Sequence, residues 1–347
     1  MSRPNEKDQR RPKIEDVARE AGVSIMSVSR AIRGVDGVSP RTRAEILRIA
    51  KRLGYQPSRV AGSLATTHSN LIGVSVPTLF DAVFAEIFDG MRDIFIHAGM
   101  ETIIETNEYN PARETAWIER MVAWTPAGVI LTGVDHSDGA RERLAAARIP
   151  VLEIWDVDPN PIDLCVGIDH RAAGLDMGRH LALLGYRSPA YVGVPHGRDP
   201  RAEKRIAGLR DAFGEVGANL APEIRVDGSP SFESGRLGAK QALEQAVPRP
   251  DVICFLNDHM AFGGMMACEA QGLEIPGKIG IVGFNGLNIN AVLPKRLTTS
   301  ITPRKLMGAT GARQLVARIL GATTERLVQM PVELMAGETT RPRLSSS

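Results

Sequence analysis

From Leu71 onward the chain alternates short apolar runs with stretches of helical length, and it does so in two successive rounds. LIGVSVP precedes VFAEIFDGMRDIFIHAG, ETIIET precedes ARETAWIERMVAW, and AGVILTG precedes DGARERLAAAR before IPVLEIWD. Parallel strands are joined by crossovers of this length and bury both faces, so the pattern predicts a parallel sheet covered on both sides. The rhythm restarts near Ile168, where HRAAGLDMGRHLALLG reads as a helix, SPAYVGV as a strand and RAEKRIAGLRDAFGEVG as a helix. EIRVDG, DVICFLN and IGIVGFN read as further strands. The expected core, residues 70–347, is therefore two similar parallel-sheet α/β subdomains. The first takes about 70–167 plus 300–328, the second about 168–299 plus 329–342, with the C-terminal segments crossing between them.

The region before Leu71 follows a different pattern. In IEDVAREAGVSIMSVSRAI, one face of a first helix carries Ile14, Val17, Ala18 and Ala21, and the inward face of a second carries Val28 and Ile32. Gly22 falls between them, where a tight turn needs its backbone freedom, and Ser24 caps the second helix. SPRTRAEILRIAKRL supplies a third helix, with Ser39 as cap and Pro40 at its first position. Helix, glycine turn and capped helix form a helix-turn-helix, whose second helix enters the DNA major groove. Its outward side chains are Ile25, Met26, Ser29 and Arg30. Residues 1–56 are read as this DNA-binding domain and 57–69 as a linker. Within the linker, Pro57 stops the preceding helix and SRVAGSLA offers about two turns, too short to stand alone in water.

Charge supports that division. Residues 1–65 hold 14 Lys and Arg against 7 Asp and Glu, and the whole-chain totals of 42 and 40 leave 28 against 33 for the remainder. A basic head on a mildly acidic body suits a polyanion partner. Cys165, Cys254 and Cys268 form no CxxC pair and have no matching histidine cluster, so neither a disulfide frame nor a metal site is expected. No apolar stretch approaches membrane length, and the basic N-terminus lacks the apolar core of an export signal; a cytoplasmic protein without membrane contact is expected. An enzyme is the rival from another class. The chain has no GxGxxG after a strand, no GxxxxGK[ST], no GxSxG and no HExxH, so catalytic residues and cofactors are not expected. A transport binding protein would share the core but needs an export signal and has no use for the basic head.

VAREAGVSIMSVSRAI followed by VSPRTRAEILRIAKRLGYQPSRVAGSLAT resembles the head and hinge of the LacI (lac repressor) family of bacterial transcription regulators. IGVSVP, RIAGLRDAF, FLNDHMAFGGM and IGIVGFN recur in the order of that family's effector-binding core, which is periplasmic-binding-protein-like. VFAEIFDGM, RLTTSITPRKLMG and GVILT are similar to gluconate-operon repressors. The resemblance implies an operator-binding repressor controlled by a small sugar or sugar acid such as gluconate. It assigns base contacts to Ile25, Met26 and Arg30, where apolar Ile25 and Met26 replace the polar pair of the lac repressor. Ser24, Ser27 and Ser29 offer hydroxyls to phosphates or bases. It makes SRVAGSLA a hinge helix, with Leu64 as a minor-groove wedge and Arg59 serving phosphates.

Ligands of paired α/β subdomains bind beyond the carboxyl ends of the strands, which brings up Phe80, Phe84, Arg201, Arg205, Asn257, Asp258 and Asn285. The resemblance supports Phe84, Arg205, Asp258 and Asn285 as pocket positions. Asn285 stands where many sugar-binding relatives carry aspartate, removing a negative charge beside the ligand. With Arg205 opposite, that points to a carboxylate-bearing polyol, the alternative being a neutral sugar or a purine. A palindromic operator implies a homodimer, and the end of the chain, TTRPRLSSS, lacks the leucine heptads that make lac repressor tetramers. Whether the effector releases or promotes operator binding stays open at this level.

Overall fold

The computed structural model describes residues 12–55, 69–79, 82–245 and 248–343. The chain divides into two compact units with the boundary at residues 69 and 70.

In the first unit, helices α1 (Ile14–Ala21), α2 (Ile25–Arg33) and α3 (Pro40–Leu53) close over a small core of Val17, Ala18, Val28, Ala31, Ile46 and Ile49. Gly22 ends α1 with φ at 64°, in the left-handed region that favours glycine. Ser24 Oγ then accepts from the Ser27 amide at 3.1 Å and starts α2. Ser39 caps α3 in the same way through the Thr42 amide, at 3.2 Å. Arg43 on α3 donates to the carbonyls of Gly34 at 3.1 Å and Val35 at 2.5 Å, fastening the end of α2. The expected hinge helix, with Arg59 and Leu64, lies outside the described residues, as does Phe80.

In the second unit, the first sheet contains β1 (Leu71–Val76), β2 (Glu101–Thr106), β3 (Gly128–Thr132), β4 (Val151–Asp156), β5 (Leu164–Ile168) and β11 (Leu327–Gln329). The second contains β6 (Pro189–Gly193), β7 (Glu223–Arg225), β8 (Val252–Phe255), β9 (Gly280–Asn285), β10 (Thr298–Ile301) and β12 (Glu333–Met335). Their orders, 2-1-3-4-5-11 and 7-6-8-9-10-12, are the same topology repeated. Every pairing is parallel except β10 with β12, so the second sheet is mixed rather than purely parallel. Three boundaries also differ from expectation, the first because Ile168 pairs with Asp156 of the first sheet. Ser300 and Ile301 pair with Phe284 and Asn285 of the second sheet, and Gln329 pairs with Gly167 of the first. Strand hydrogen bonding, not the apolar run, sets where each crossover begins.

The helices are α4 (Ala82–His97), α5 (Pro111–Ala123), α6 (Asp138–Ala147), α7 (His170–Leu183), α8 (Pro200–Gly214), α9 (Phe232–Gln245), α10 (Asp258–Ala270) and α11 (Arg304–Ile319). Contacts between α7 and α8 matter most for the site. A Cβ on Gly174 would lie 2.1 Å from the Arg205 carbonyl oxygen, and one on Gly208 would lie 2.1 Å from that of Arg171. This backbone-to-backbone crossing sets Arg205 on α8 beside His170 at the start of α7.

Candidate DNA-reading helix and effector cleft

On α2 the residues facing away from the head core include Ile25, 48% exposed, and Met26, 57% exposed. Arg30 is exposed and passes over the loop at Gly37, where a Cβ would come within 2.9 Å of its Nη1. Ser24 Oγ is engaged as cap and also lies 3.0 Å from Ser27 Oγ, so this pair supports the helix start. Ser29 is half-buried.

In the core, a cleft of about 350 Å³ opens where the strand ends of the two sheets face each other. Its walls bring together Phe84, Arg201, Arg205, Asn257 and Asn285 from the expected set. Arg205 is held from three sides. Its Nη1 lies 2.9 Å from His170 Nδ1, its Nη2 donates to the Leu256 carbonyl at 3.3 Å, and its guanidinium carbon sits 4.2 Å from the centre of the Phe284 ring. His170 is fully buried and its Nε2 is 2.9 Å from the Trp155 carbonyl oxygen. Burial, followed by the charges of Arg205 and Arg201, holds its pKa well below the ordinary histidine range. The ring is neutral, with Nε2 donating to Trp155 and Nδ1 accepting from Arg205.

Arg201 donates from Nε to Asp199 Oδ1 at 2.9 Å and from Nη1 to the Thr132 carbonyl at 3.4 Å, across to the first subdomain. Its guanidinium carbon lies 5.6 Å from the Tyr109 ring centre. Burial alone would raise the Asp199 carboxyl, but Arg201 and Arg205 outweigh it and keep it below the usual carboxylate range. A second cross-cleft link joins Lys204 Nζ to Asp156 Oδ2 at 2.6 Å.

Asn285 ends β9 with φ at 115°, a region that non-glycine residues rarely occupy. The strained backbone is fastened at its carbonyl, which accepts from Thr302 Oγ1 at 3.2 Å and from Arg304. Its side-chain Oδ1 is buried and has no hydrogen-bond partner. Asn257 Oδ1 caps α10 through the Met260 amide at 3.0 Å. Asp258 is placed differently from the other expected residues. It is fully buried behind the wall, accepting from Thr299 Oγ1 at 2.6 Å and the Leu287 amide at 2.7 Å. It supports the β9–β10 edge rather than lining the cleft.

Trp155, Tyr109, Asp199 and His170 were not expected at the site. Tyr109, Asp199 and His170 follow strands and Trp155 lies in the last two residues of β4, so the carboxyl-end rule carried the signal, but nothing in the sequence told which side chain turned inward. Trp155 does so at φ 85°, its ring edge-on to Phe84 at 6.3 Å. Among the described residues no group of three or more His, Cys, Asp or Glu side chains is placed to hold a metal ion. None of the described helices is long and apolar enough to cross a membrane.

Residues 13–58 match the family profile of bacterial regulatory proteins of the lacI family, and residues 69–338 match that of periplasmic binding proteins and the sugar binding domain of the LacI family. The chain belongs to the LacI family, as a DNA-binding transcriptional regulator. It is 33% identical over 330 residues to the HTH-type transcriptional regulator GntR of Escherichia coli (strain K12), covering 94% of this chain and 98% of that protein. The crystal structure of a LacI family transcriptional regulator from Silicibacter pomeroyi superposes with a TM-score of 0.88 at 35% identity, covering 95% of this chain and all of that one. The lac repressor dimer bound to operator and the anti-inducer ONPF gives a TM-score of 0.80 at 25% identity, over 96% of this chain and 100% of that chain. These relatives are regulators, not enzymes. The LacI family binds operator DNA and sugar effectors.

Proposed function

We propose that the protein is a cytoplasmic, homodimeric repressor whose operator binding is controlled by a sugar acid such as gluconate. The cleft's charge carries this reading. Arg201 and Arg205 face the single carboxylate of Asp199, His170 is neutral, and Lys204 cancels Asp156. The walls thus keep one positive charge uncancelled, which suits one ligand carboxylate. The unpartnered Oδ1 of Asn285 supplies an acceptor for a ligand hydroxyl, and leaving such an atom unpaired costs about 1–3 kcal/mol. The likeness to GntR regulators supports the same ligand class.

Ile25, Met26 and Arg30 are proposed to read base edges, with Ser27 and Ser29 near the phosphates. Arg30 suits guanine, whose O6 and N7 match a guanidinium fork and discriminate by about 1–3 kcal/mol. Residues 57–69 are proposed as a hinge that couples the effector to DNA, with Leu64 and Arg59 serving the minor groove and Phe80 as an effector contact. Calorimetry of the purified protein with D-gluconate, glucose and guanine tests the ligand class. Gluconate binding alone is the expected result; binding of the neutral sugar or the purine without any aldonic acid would remove the proposal.

A further inference from the structure

Beside the cleft, and sharing Tyr109 and Arg201 with it, lies a second cavity of about 490 Å³. Glu114 on α5 and His136 in the β3–α6 loop belong to its lining, and both side chains are more than nine-tenths buried. The His136 ring meets an acceptor at each nitrogen. Nδ1 is 2.6 Å from Glu114 Oε1, and Nε2 is 3.1 Å from the Gly133 carbonyl oxygen and 3.6 Å from Glu153 Oε1. A neutral imidazole donates from one nitrogen only, so opposite a Glu114 carboxylate it is the doubly protonated ring that satisfies both sides.

The surroundings favour that charged ring. Glu153 on β4 is fully buried and its Oε1 has no hydrogen-bond partner, while Oε2 accepts from the Ile162 amide at 2.7 Å. Besides His136, the opposing charge near Glu153 is Arg141 on α6, 3.7 Å away, and it is also engaged with the Val134 carbonyl at 2.5 Å. The second oxygen of Glu114 accepts from Asn107 at 3.1 Å. Asp135, Arg198, Arg201 and the Tyr109 hydroxyl complete the titratable and charged groups around this cavity.

Gly133 connects the ring to the effector cleft. Its φ is 88°, and a Cβ there would lie 2.8 Å from Arg201 Nη1. The carbonyl that His136 holds is therefore adjacent in sequence to the Thr132 carbonyl that Arg201 uses. We infer that His136, ionised between Glu114 and Glu153, is a positioning residue for Arg201 and makes effector binding weaken as pH rises. Its ligand arm rests on the sugar-acid reading of the cleft. When Nε2 loses its proton, its lone pair faces the Gly133 carbonyl and Glu153, and the Thr132–Gly133 segment no longer holds Arg201 in place.

The full-length protein is titrated with D-gluconate by calorimetry from about pH 6 to about pH 8.5. Wild-type affinity is expected to fall about fivefold, the worth of one hydrogen bond. His136→Gln is expected to bind at the weaker level throughout. His136→Gln/Glu114→Gln, which leaves a neutral amide pair at the same place and guards against a folding defect, is expected to be flat with pH as well. A second arm needs no ligand: in protein labelled with ¹⁵N at histidine and arginine, both His136 ring nitrogens are protonated at the acid end, and the Arg201 Nε resonance moves as the ring titrates. Arg201→Lys assigns that resonance. A single neutral tautomer at about pH 6, an Arg201 signal indifferent to His136, or a wild-type pH slope in the variants overturns the inference. If gluconate fails to bind while Arg201 still follows His136, the ligand reading falls and the coupling stands.

Discussion

In the proposed reading, Asn285 sets the charge that the cleft offers a ligand. Asn285→Asp keeps the shape of the side chain but places a carboxylate against the ligand's own. It is expected to weaken gluconate binding about tenfold or more, roughly 1.4 kcal/mol, in a calorimetric titration. Unchanged affinity would show that Asn285 does not face the ligand carboxylate. At the other end of the chain, Ile25 and Met26 expose apolar side chains on α2, and the proposal assigns them to base edges. Replacing both with a polar pair is expected to change which operator is selected from a randomised DNA pool. Binding to nonspecific duplex at the same salt, which phosphate contacts dominate, should change little. Residue identity was legible here to different depths. Ser24 and Gly22 follow from local backbone demands, which sequence reports directly. The unpaired oxygen of Asn285 and the inward turn of Trp155 depend on positive backbone angles that tertiary contacts impose.

At the scale of elements, the α7–α8 crossing is held by glycines without room for a methyl group. Gly174→Ala pushes its Cβ against the Arg205 carbonyl. It is expected to cost about 1–3 kcal/mol in urea denaturation, as overpacking does, and to weaken gluconate binding because Arg205 moves with its helix. Asp258, at the start of α10, gives a pH signature. Burial pushes its carboxyl up to about 6, against partial relief from Thr299 and the Leu287 amide. The folded state therefore holds this proton more tightly than the unfolded chain. The associated stability is full below about pH 4 and is lost as pH rises through about 6. The wild-type unfolding free energy, measured relative to Asp258→Ala, should fall by about 3 kcal/mol over that window; no relative fall would place Asp258 in a solvated site. The alternation of strand and helix was readable because it follows from burial periodicity alone. The antiparallel β12 and the crossover points were not, because a three-residue edge strand leaves almost no periodic signal and pairs through backbone groups common to every residue.

At the scale of the whole molecule, the repeated sheet order places two carboxyl-end edges face to face, and Arg201–Thr132 and Lys204–Asp156 bridge them. A ligand that strengthens these bridges favours one arrangement of the subdomains, and a few kcal/mol of differential affinity is enough to shift an equilibrium tenfold or more. In the proposal that shift reaches DNA through residues 57–69. The most direct measurement is an operator-binding titration of the full-length protein at fixed salt, with D-gluconate, glucose and guanine added separately. The expected result is a tight specific complex whose affinity changes at least about tenfold with gluconate alone, roughly 1.4 kcal/mol of coupling. An operator complex indifferent to every aldonic acid, yet responsive to a neutral sugar or a purine, would contradict the account.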